Sequence, residues 1–335
     1  MAQEHRSRTS TSSDAAADPI ELLKTMMKIR RFEEKAAEMY AKGRIKGFLH
    51  LYIGQEAVAT GAISALRPDD YIVTHYREHG HALARGLDPK RVMAELFGRE
   101  TGVSGGRGGS MHLFDVEKSF LGGYAIVAGH MPLACGLGMA EQYKGTDRIA
   151  VTFFGDGAVN EGEFHESLNL AAVWKLPVLF VVENNLYGMG TDIRRVSAEI
   201  EIYKRAAAYN IHSEQVDGMN VLAMYDAVSR LAARARAGDG PVFLEAMCYR
   251  FRGHSMADAE FYRSKDEVEH WRHLDPIDQL KRKLLADKTI SESDIENLQS
   301  EADDMARDAA QFAEESPAPP IESLYRAVYK EPGDA

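Results

Sequence analysis

FFGDGAVNEGEF, residues 153–164, begins as an apolar run, breaks at Gly155-Asp156-Gly157 and continues into a stretch strewn with polar groups. With the preceding RIAVT, the run predicts a buried strand. VNEGEFHESLNLAAVWK then predicts a helix, and LPVLFVVENN, ending at Asn185, predicts a second buried strand. Further on, NVLAMYDAVSRLAARARAG reads as a helix and PVFLEAMCYR as a strand. Strand, helix, strand, helix, strand is the pattern of an α/β fold, a largely parallel sheet flanked by helices. Ligands of such sheets sit at the carboxyl ends of strands. GDG and Asn184-Asn185 lie at two such ends with 26 residues between them, enough for one helix and a return strand, so the two ends are expected to be neighbours.

Glycines flanking Asp156 allow a sharp turn and close approach to an anion, and the first N–H groups of the helix that follows are donors for phosphate oxygens. A carboxylate and an amide oxygen are hard ligands suited to Mg²⁺, which takes its remaining ligands from phosphate and water. The motif therefore favours a magnesium diphosphate. The alternative is a dinucleotide, but GDGAVN has Asn160 where the third glycine of G-x-G-x-x-G belongs, and Glu183 sits too early to bind a ribose.

The rest of the chain frames this site. Its 335 residues, 45% apolar and 27% charged, are those of a globular protein with one large domain or two. A net charge of −11 argues against nucleic acid or an anionic membrane as partner. No run approaches the roughly 20 apolar residues of a membrane span. The first residues lack the apolar core of a secretory signal; Arg6, Arg8 and the Ser/Thr run carry a faint transit-peptide flavour, but Glu4 and Asp14 point instead to a disordered tail in a cytoplasmic protein. Cys135 and Cys248 read as buried free thiols.

An Asp18 cap and Pro19 open a helix that closes at Gly43. Ser264 with Glu267, and Ser291 with Asp294, read as capping boxes of acidic helices. In the second, Ile295, Leu298, Ala302, Met305, Ala309 and Phe312 form one apolar stripe for the body of the protein or a partner. SPAPP ends it before a short final helix. The organisation expected is a disordered tail over 1–17, an α/β domain over 18–263 and a helical extension over 264–335 that packs on the domain or a partner subunit. His75, His79 and His81 look like a metal cluster, but imidazole is a poor match for Mg²⁺, so they read as supporting groups.

GDG, about 26 residues and NN together closely resemble the fingerprint of thiamine diphosphate enzymes. GFLHLYIGQEA, THYREHGHALARG, GRGGSMHLF, WKLPVLFVVENNLYGMGT and YRFRGHSMAD are similar to the alpha subunit of the decarboxylating first component of pyruvate dehydrogenase complexes, and the resemblance runs from about Asp18 to Tyr329. It implies the thiamine diphosphate-binding fold, with Mg²⁺ held by Asp156, Asn185 and the main-chain oxygen of Tyr187. Gly157, Ala158, Tyr76 and Arg77 would lie at the diphosphate, where an arginine acts as an anion clamp. The backbone at Ala125 and Val127 would hold the aminopyrimidine. His50 and His254 match active-site histidines, His254 also on the cofactor side, and GGRGGS matches a loop close to the cofactor. Ser255 matches a regulatory phosphorylation position of eukaryotic relatives.

The activity implied is oxidative decarboxylation of pyruvate with transfer of the acetyl group to a lipoyl domain. The partners implied are a beta subunit, in a heterotetramer of two alpha and two beta chains, and a dihydrolipoyl acyltransferase. In this family the carboxylate that faces the aminopyrimidine belongs to the beta chain; Glu56 is the internal alternative. The small residues Ala134, Gly136, Gly138 and Ala140, and the long apolar stripe, are candidate interfaces. Acetoin and branched-chain 2-oxo acid dehydrogenase alpha subunits are the alternatives within the class. Tyr76 and GHSMAD depart from the acetoin pattern, while GQEA with HLY departs from the branched-chain one; His130 and ADAEFYR depart from several pyruvate relatives. A non-catalytic module of the same fold is the alternative of another class.

Overall fold

The computed structural model describes residues 17–326. In chain order its helices are α1 (Pro19–Ala41), α2 (Glu56–Ser64), α3 (His79–Ala84), α4 (Pro89–Leu96), α5 (Met131–Lys144), α6 (Gly162–Trp174), α7 (Tyr203–Ala206), α8 (Val221–Arg236), α9 (Lys265–Arg272), α10 (Pro276–Ala286) and α11 (Glu292–Glu315). The strands are β1 (Tyr71–His75), β2 (Phe120–Tyr124), β3 (Ala150–Gly155), β4 (Val178–Asn184), β5 (Tyr187–Gly188), β6 (Thr191–Asp192), β7 (His212–Asp217) and β8 (Val242–Met247). Six form one parallel sheet in the order β2-β1-β3-β4-β8-β7, while β5 and β6 make a small antiparallel pair.

Strand alternation divides the core. Val151, Phe153, Leu179 and Val181 pack on one face with residues of α2 and α8. Ala150, Phe154, Val178, Phe180 and Val182 pack on the other with residues of α5 and α6. Every residue of β4 is buried, which is why its sequence reads as an unbroken apolar run up to Glu183. The edge strands β2 and β7 were not visible as strands. FLGGY is short and glycine-rich, and HSEQVD is half exposed and polar.

Asp18 caps α1 by accepting from the Ile20 N–H at 2.9 Å. Ser291 and Asp294 form the complete capping box expected at α11. At α9 only half of the box exists: Ser264 accepts from the Glu267 N–H, but the Glu267 carboxylate accepts instead from the hydroxyls of Tyr187 and Tyr249. The α11 stripe takes the first of its two expected uses. Ala309, Ala310 and Ala313 belong to the main core, and Ala302 packs with Leu22, Leu23, Met26 and Met27 of α1, so the stripe is used within the chain rather than left for a partner. SPAPP is followed by a 3₁₀ turn, Ile321–Tyr325. The expected tail, apart from Ala17, and everything after Arg326 lie outside the described residues.

PLACGLGMA also divides. Ala134 and Gly138 face the chain's own core, where a Cβ on Gly138 would come within 2.8 Å of Val178. Gly136 meets nothing, and beside it Leu133, Met139 and Tyr143 are exposed. Both cysteines are buried and free.

Candidate active site

Parallel register brings the carboxyl ends of the strands to one edge of the sheet: Gly155 pairs with Glu183, and Asn184 with Met247. The loops leaving β1, β2, β3, β4 and β8 meet around a cavity of about 340 Å³. Tyr76 and Arg77 follow β1, Val127 and Ala128 follow β2, Asp156 to Ala158 follow β3, Asn185 and Tyr187 follow β4, and Arg250 and His254 follow β8; all line the cavity. The helix expected directly after GDG starts later. A 3₁₀ turn over Asp156–Asn160 intervenes, and α6 begins at Gly162.

The turn lies close against β5: a Cβ on Gly157 would sit 3.2 Å from the Cα of Gly188. A Cβ on Gly155 would meet nothing within 4 Å, which leaves open space beside Asp156. Leu186 adopts a left-handed conformation (φ 73°), an uncommon state for a bulky residue. It turns the main chain so that residues on both sides of it, Asn185 and Tyr187, line the cavity. The asparagine pair separates in role. Asn184 turns away to donate to Glu245 Oε1 at 2.7 Å, whereas Asn185 stays at the cavity.

Charge in this cavity is unbalanced. Asp156 is buried, and burial pushes its carboxyl up to about 6 against the pull of Arg250. Arg77 and Arg250 are buried too, and neither has an ion-pair partner among the described residues. Arg77 donates from Nη1 to Leu51 O and from Nη2 to His254 O, both at 2.8 Å. Burial, then the nearby Arg250, pushes it down to about 10. Arg250 donates to His254 Nδ1 at 2.9 Å and to Met189 O at 2.8 Å, and its Nε has no hydrogen-bond partner. Arg250 lies within YRFRGHSMAD, where nothing in the local pattern gives it a role. Its burial, which no local pattern encodes, makes it notable.

His254 lines the cavity, and its Nδ1 accepts from Arg250, so the neutral ring carries its proton on Nε2. Burial, then Arg77 and Arg250, pushes it down to about 3. His50 does not itself line the cavity. Its ring packs 4.7 Å from that of Tyr76 and 5.0 Å from that of His254, its Nδ1 lacks a partner, and burial followed by Arg77 and His254 pushes it down to about 2. Ala125 lies just before the cavity wall without joining it.

His130, on the wall, points its Nε2 at Phe153 O (2.7 Å), which leaves Nδ1 as an unpartnered acceptor. The GGRGGS loop, against expectation, contributes nothing to the lining. Glu95 holds it instead, by accepting from the N–H groups of Ser104, Gly106, Gly108 and Gly109.

Two other expectations find their places. His75, His79 and His81 are buried supports: His75 and His81 contact Glu183, and His79 contacts Glu33. Among the described residues no three His, Cys, Asp or Glu side chains form a metal-holding group. Glu56 lies off the cavity, paired with Arg30 and accepting from the Gly54 N–H.

The arrangement suits a metal diphosphate. Two buried guanidinium groups without anions call for an anion, and a buried carboxylate beside an amide oxygen calls for a hard cation. The side-chain-free space at Gly155 and the paired glycines 157 and 188 leave room for backbone to lie against phosphate.

Residues 24–322 match the family described as dehydrogenase E1 component. Three similar proteins are each named pyruvate dehydrogenase E1 component subunit alpha. That of Rhizobium meliloti (strain 1021) is 47% identical over 312 residues, covering 93% of this chain and 90% of its own. That of Zymomonas mobilis subsp. mobilis is 47% identical over 311 residues, 92% of this chain and 88% of its own. That of Rickettsia bellii (strain RML369-C) is 44% identical over 310 residues, 92% of this chain and 95% of its own.

Proposed function

The chain belongs to the dehydrogenase E1 component family, and from that premise we propose that it is the alpha subunit of a thiamine diphosphate-dependent pyruvate dehydrogenase first component, acting with a beta partner. One observation of the site carries this reading: a buried carboxylate, Asp156, shares a cavity with two buried guanidinium groups, Arg77 and Arg250, and none of the three has an ion-pair partner among the described residues. A magnesium diphosphate supplies both missing charges.

Asp156 and Asn185, with the main-chain oxygen of Tyr187, would hold Mg²⁺. Arg77, Arg250 and Tyr76, with the backbone at Gly157 and Ala158, would hold the diphosphate, and the loop bearing Ala125 and Val127 would hold the aminopyrimidine. When bound, thiamine diphosphate supplies the carbon nucleophile and the electron sink for decarboxylation of a 2-oxo acid. The chain's own groups bind, orient and exclude water. His254, neutral with Nε2–H as donor, and His50 beside it are suited to orienting a substrate carboxylate or lipoyl thiolate and to holding a proton.

The assembly we propose is a heterotetramer of two alpha and two beta chains that passes the acetyl group to the lipoyl domain of a dihydrolipoyl acyltransferase. The exposed apolar residues Ile126, Val127, Leu133, Met139 and Tyr143, which run from the cavity along α5, support a protein partner at this edge. Glu56, being paired with Arg30, is a poor internal substitute for the beta carboxylate. Bacterial relatives support a cytoplasmic location, and no described helix is long and apolar enough to cross a membrane. The reading of 264–335 as an extension that packs on an α/β domain over 18–263 is supported, for its described residues, by the packing of Ile277, Leu280 and Leu284 onto α1.

The test is decarboxylation by the chain reconstituted with its beta partner, with pyruvate, 2-oxobutyrate, branched 2-oxo acids and acetoin side by side. Pyruvate is expected to have the highest kcat/KM. A preference for acetoin or a branched acid would reassign the substrate, and failure to bind thiamine diphosphate would favour a non-catalytic module.

A further inference from the structure

Glu183 is the penultimate residue of β4, a buried carboxylate two residues before Asn185. Its oxygens are filled. Oε1 accepts from the Tyr52 hydroxyl and lies 3.0 Å from His81 Nε2, and Oε2 accepts from Gln55 Nε2 at 3.0 Å and from His75 Nε2 at 2.7 Å. His75 Nδ1 accepts the Arg77 N–H, so its Nε2 must carry the proton given to Glu183.

An ionised carboxylate accepts and never donates. Gln55 is therefore obliged to turn its NH₂ toward Glu183, which leaves its Oε1 facing Asn185. Asn185 is in turn obliged to give its NH₂ to Gln55 Oε1, and that bond measures 3.1 Å. The end of the Asn185 amide that remains is Oδ1, which accepts a long bond from the Tyr187 N–H at 3.3 Å and is the only end that can bind a cation. A primary amide is nearly symmetric in shape, so packing alone does not choose between its two orientations; hydrogen-bond polarity does.

On this geometry, and resting on the reading of Asn185 as a metal ligand, we propose that Glu183 is a positioning residue: acting through Gln55, it sets the orientation of the Asn185 carboxamide that presents oxygen to the cation. Without the carboxylate only the long Tyr187 N–H bond still favours the native orientation, so Gln55 and then Asn185 can invert and an NH₂ group replaces a ligand oxygen.

Mn²⁺ binding to the alpha–beta complex in the presence of thiamine diphosphate, followed by electron paramagnetic resonance, tests this without recourse to turnover. Glu183→Gln is expected to weaken Mn²⁺ by tenfold or more, within the roughly 10–100-fold seen when groups supporting metal ligands are removed. Gln55→Leu, which leaves Glu183 its three other donors, is expected to do the same and decides the matter should Glu183→Gln fail to fold. The distinguishing readout uses Asn185→Asp, whose carboxylate presents oxygen in either orientation. In that background both substitutions are expected to change Mn²⁺ affinity by less than about twofold. Equal losses in both backgrounds, or wild-type affinity in Gln55→Leu, would overturn the relay. A wild-type complex that takes up no Mn²⁺ with the cofactor present would overturn the site reading itself.

Discussion

Arg77 donates from Nη2 to the main-chain oxygen of His254 at 2.8 Å, so the loop after β1 holds the loop after β8 at the mouth of the cavity. The same guanidinium also holds Leu51 O. Its Nη2 also lies 3.5 Å from His254 Nδ1, which leaves two of its five N–H groups for an anion.

A lysine cannot make this fork. Arg77→Lys is therefore expected to lower thiamine diphosphate affinity at least tenfold and to make the His254 loop more susceptible to protease. Fluorescence quenching titration and limited proteolysis measure the two effects. A loss smaller than about 0.5 kcal/mol, the range of ordinary surface changes, would remove Arg77 from the binding site.

Asp156 is expected to trade stability for binding. Its carboxyl lies at about 6 when folded, above the ordinary 3.8, so the folded metal-free chain holds more protons than the unfolded chain between those values. Stability is consequently lost as pH rises through that window, by about 3 kcal/mol at neutral pH. Asp156→Asn should raise the denaturation midpoint of the metal-free protein at pH 7 and abolish Mg²⁺-dependent cofactor binding. A variant that binds like wild type, or is less stable at pH 7, contradicts the assignment.

His50 and His254 have the opposite pH signature. Both lie below the ordinary 6.5, at about 2 and about 3, so the unfolded chain binds more protons as pH falls below about 6.5. Their contribution is present at neutral pH and is lost on acidification, less steeply for the more exposed His254, whose charge water screens in part. Urea denaturation at pH 7.5 and 5 should show a shallower pH dependence in His50→Gln and in His254→Gln than in wild type. Unchanged slopes would mean that the two rings are protonated in the folded protein.

The purified chain is expected to decarboxylate no 2-oxo acid, because among the described residues the cavity lining has Asp156 and Glu161 as its only carboxylates, one assigned to the metal and the other exposed. Adding the beta partner should restore activity in a stable complex, measured by carbon dioxide release across a size-exclusion profile. Robust turnover by the isolated chain would place the missing carboxylate inside it.

The fold was legible in the sequence because its evidence is local. The apolar runs ending at Gly155 and Asn184 are buried strands, the helical period between them is α6, and so short a crossover makes β3 and β4 parallel neighbours; Asp156 and Asn185 follow as residues of adjacent strand ends. The resemblance brought Tyr76, Arg77, Tyr187 and His254, and the structure collects all four around the same cavity. Burial and hydrogen-bond partnership were not legible, since they depend on chain segments distant in sequence. Gln55 meets Glu183 across 128 residues, and Asn185 across 130, through a polarity that no spacing records. Arg250 reads as one cation among many until the fold removes it from water without an ion-pair partner among the described residues, and the α11 stripe reads as one for the body or for a partner until α1 and the main core take it up. Periodicity is a property of neighbouring residues along the chain. The energy of a buried charge is set by everything around it in space, and only the tertiary structure supplies that.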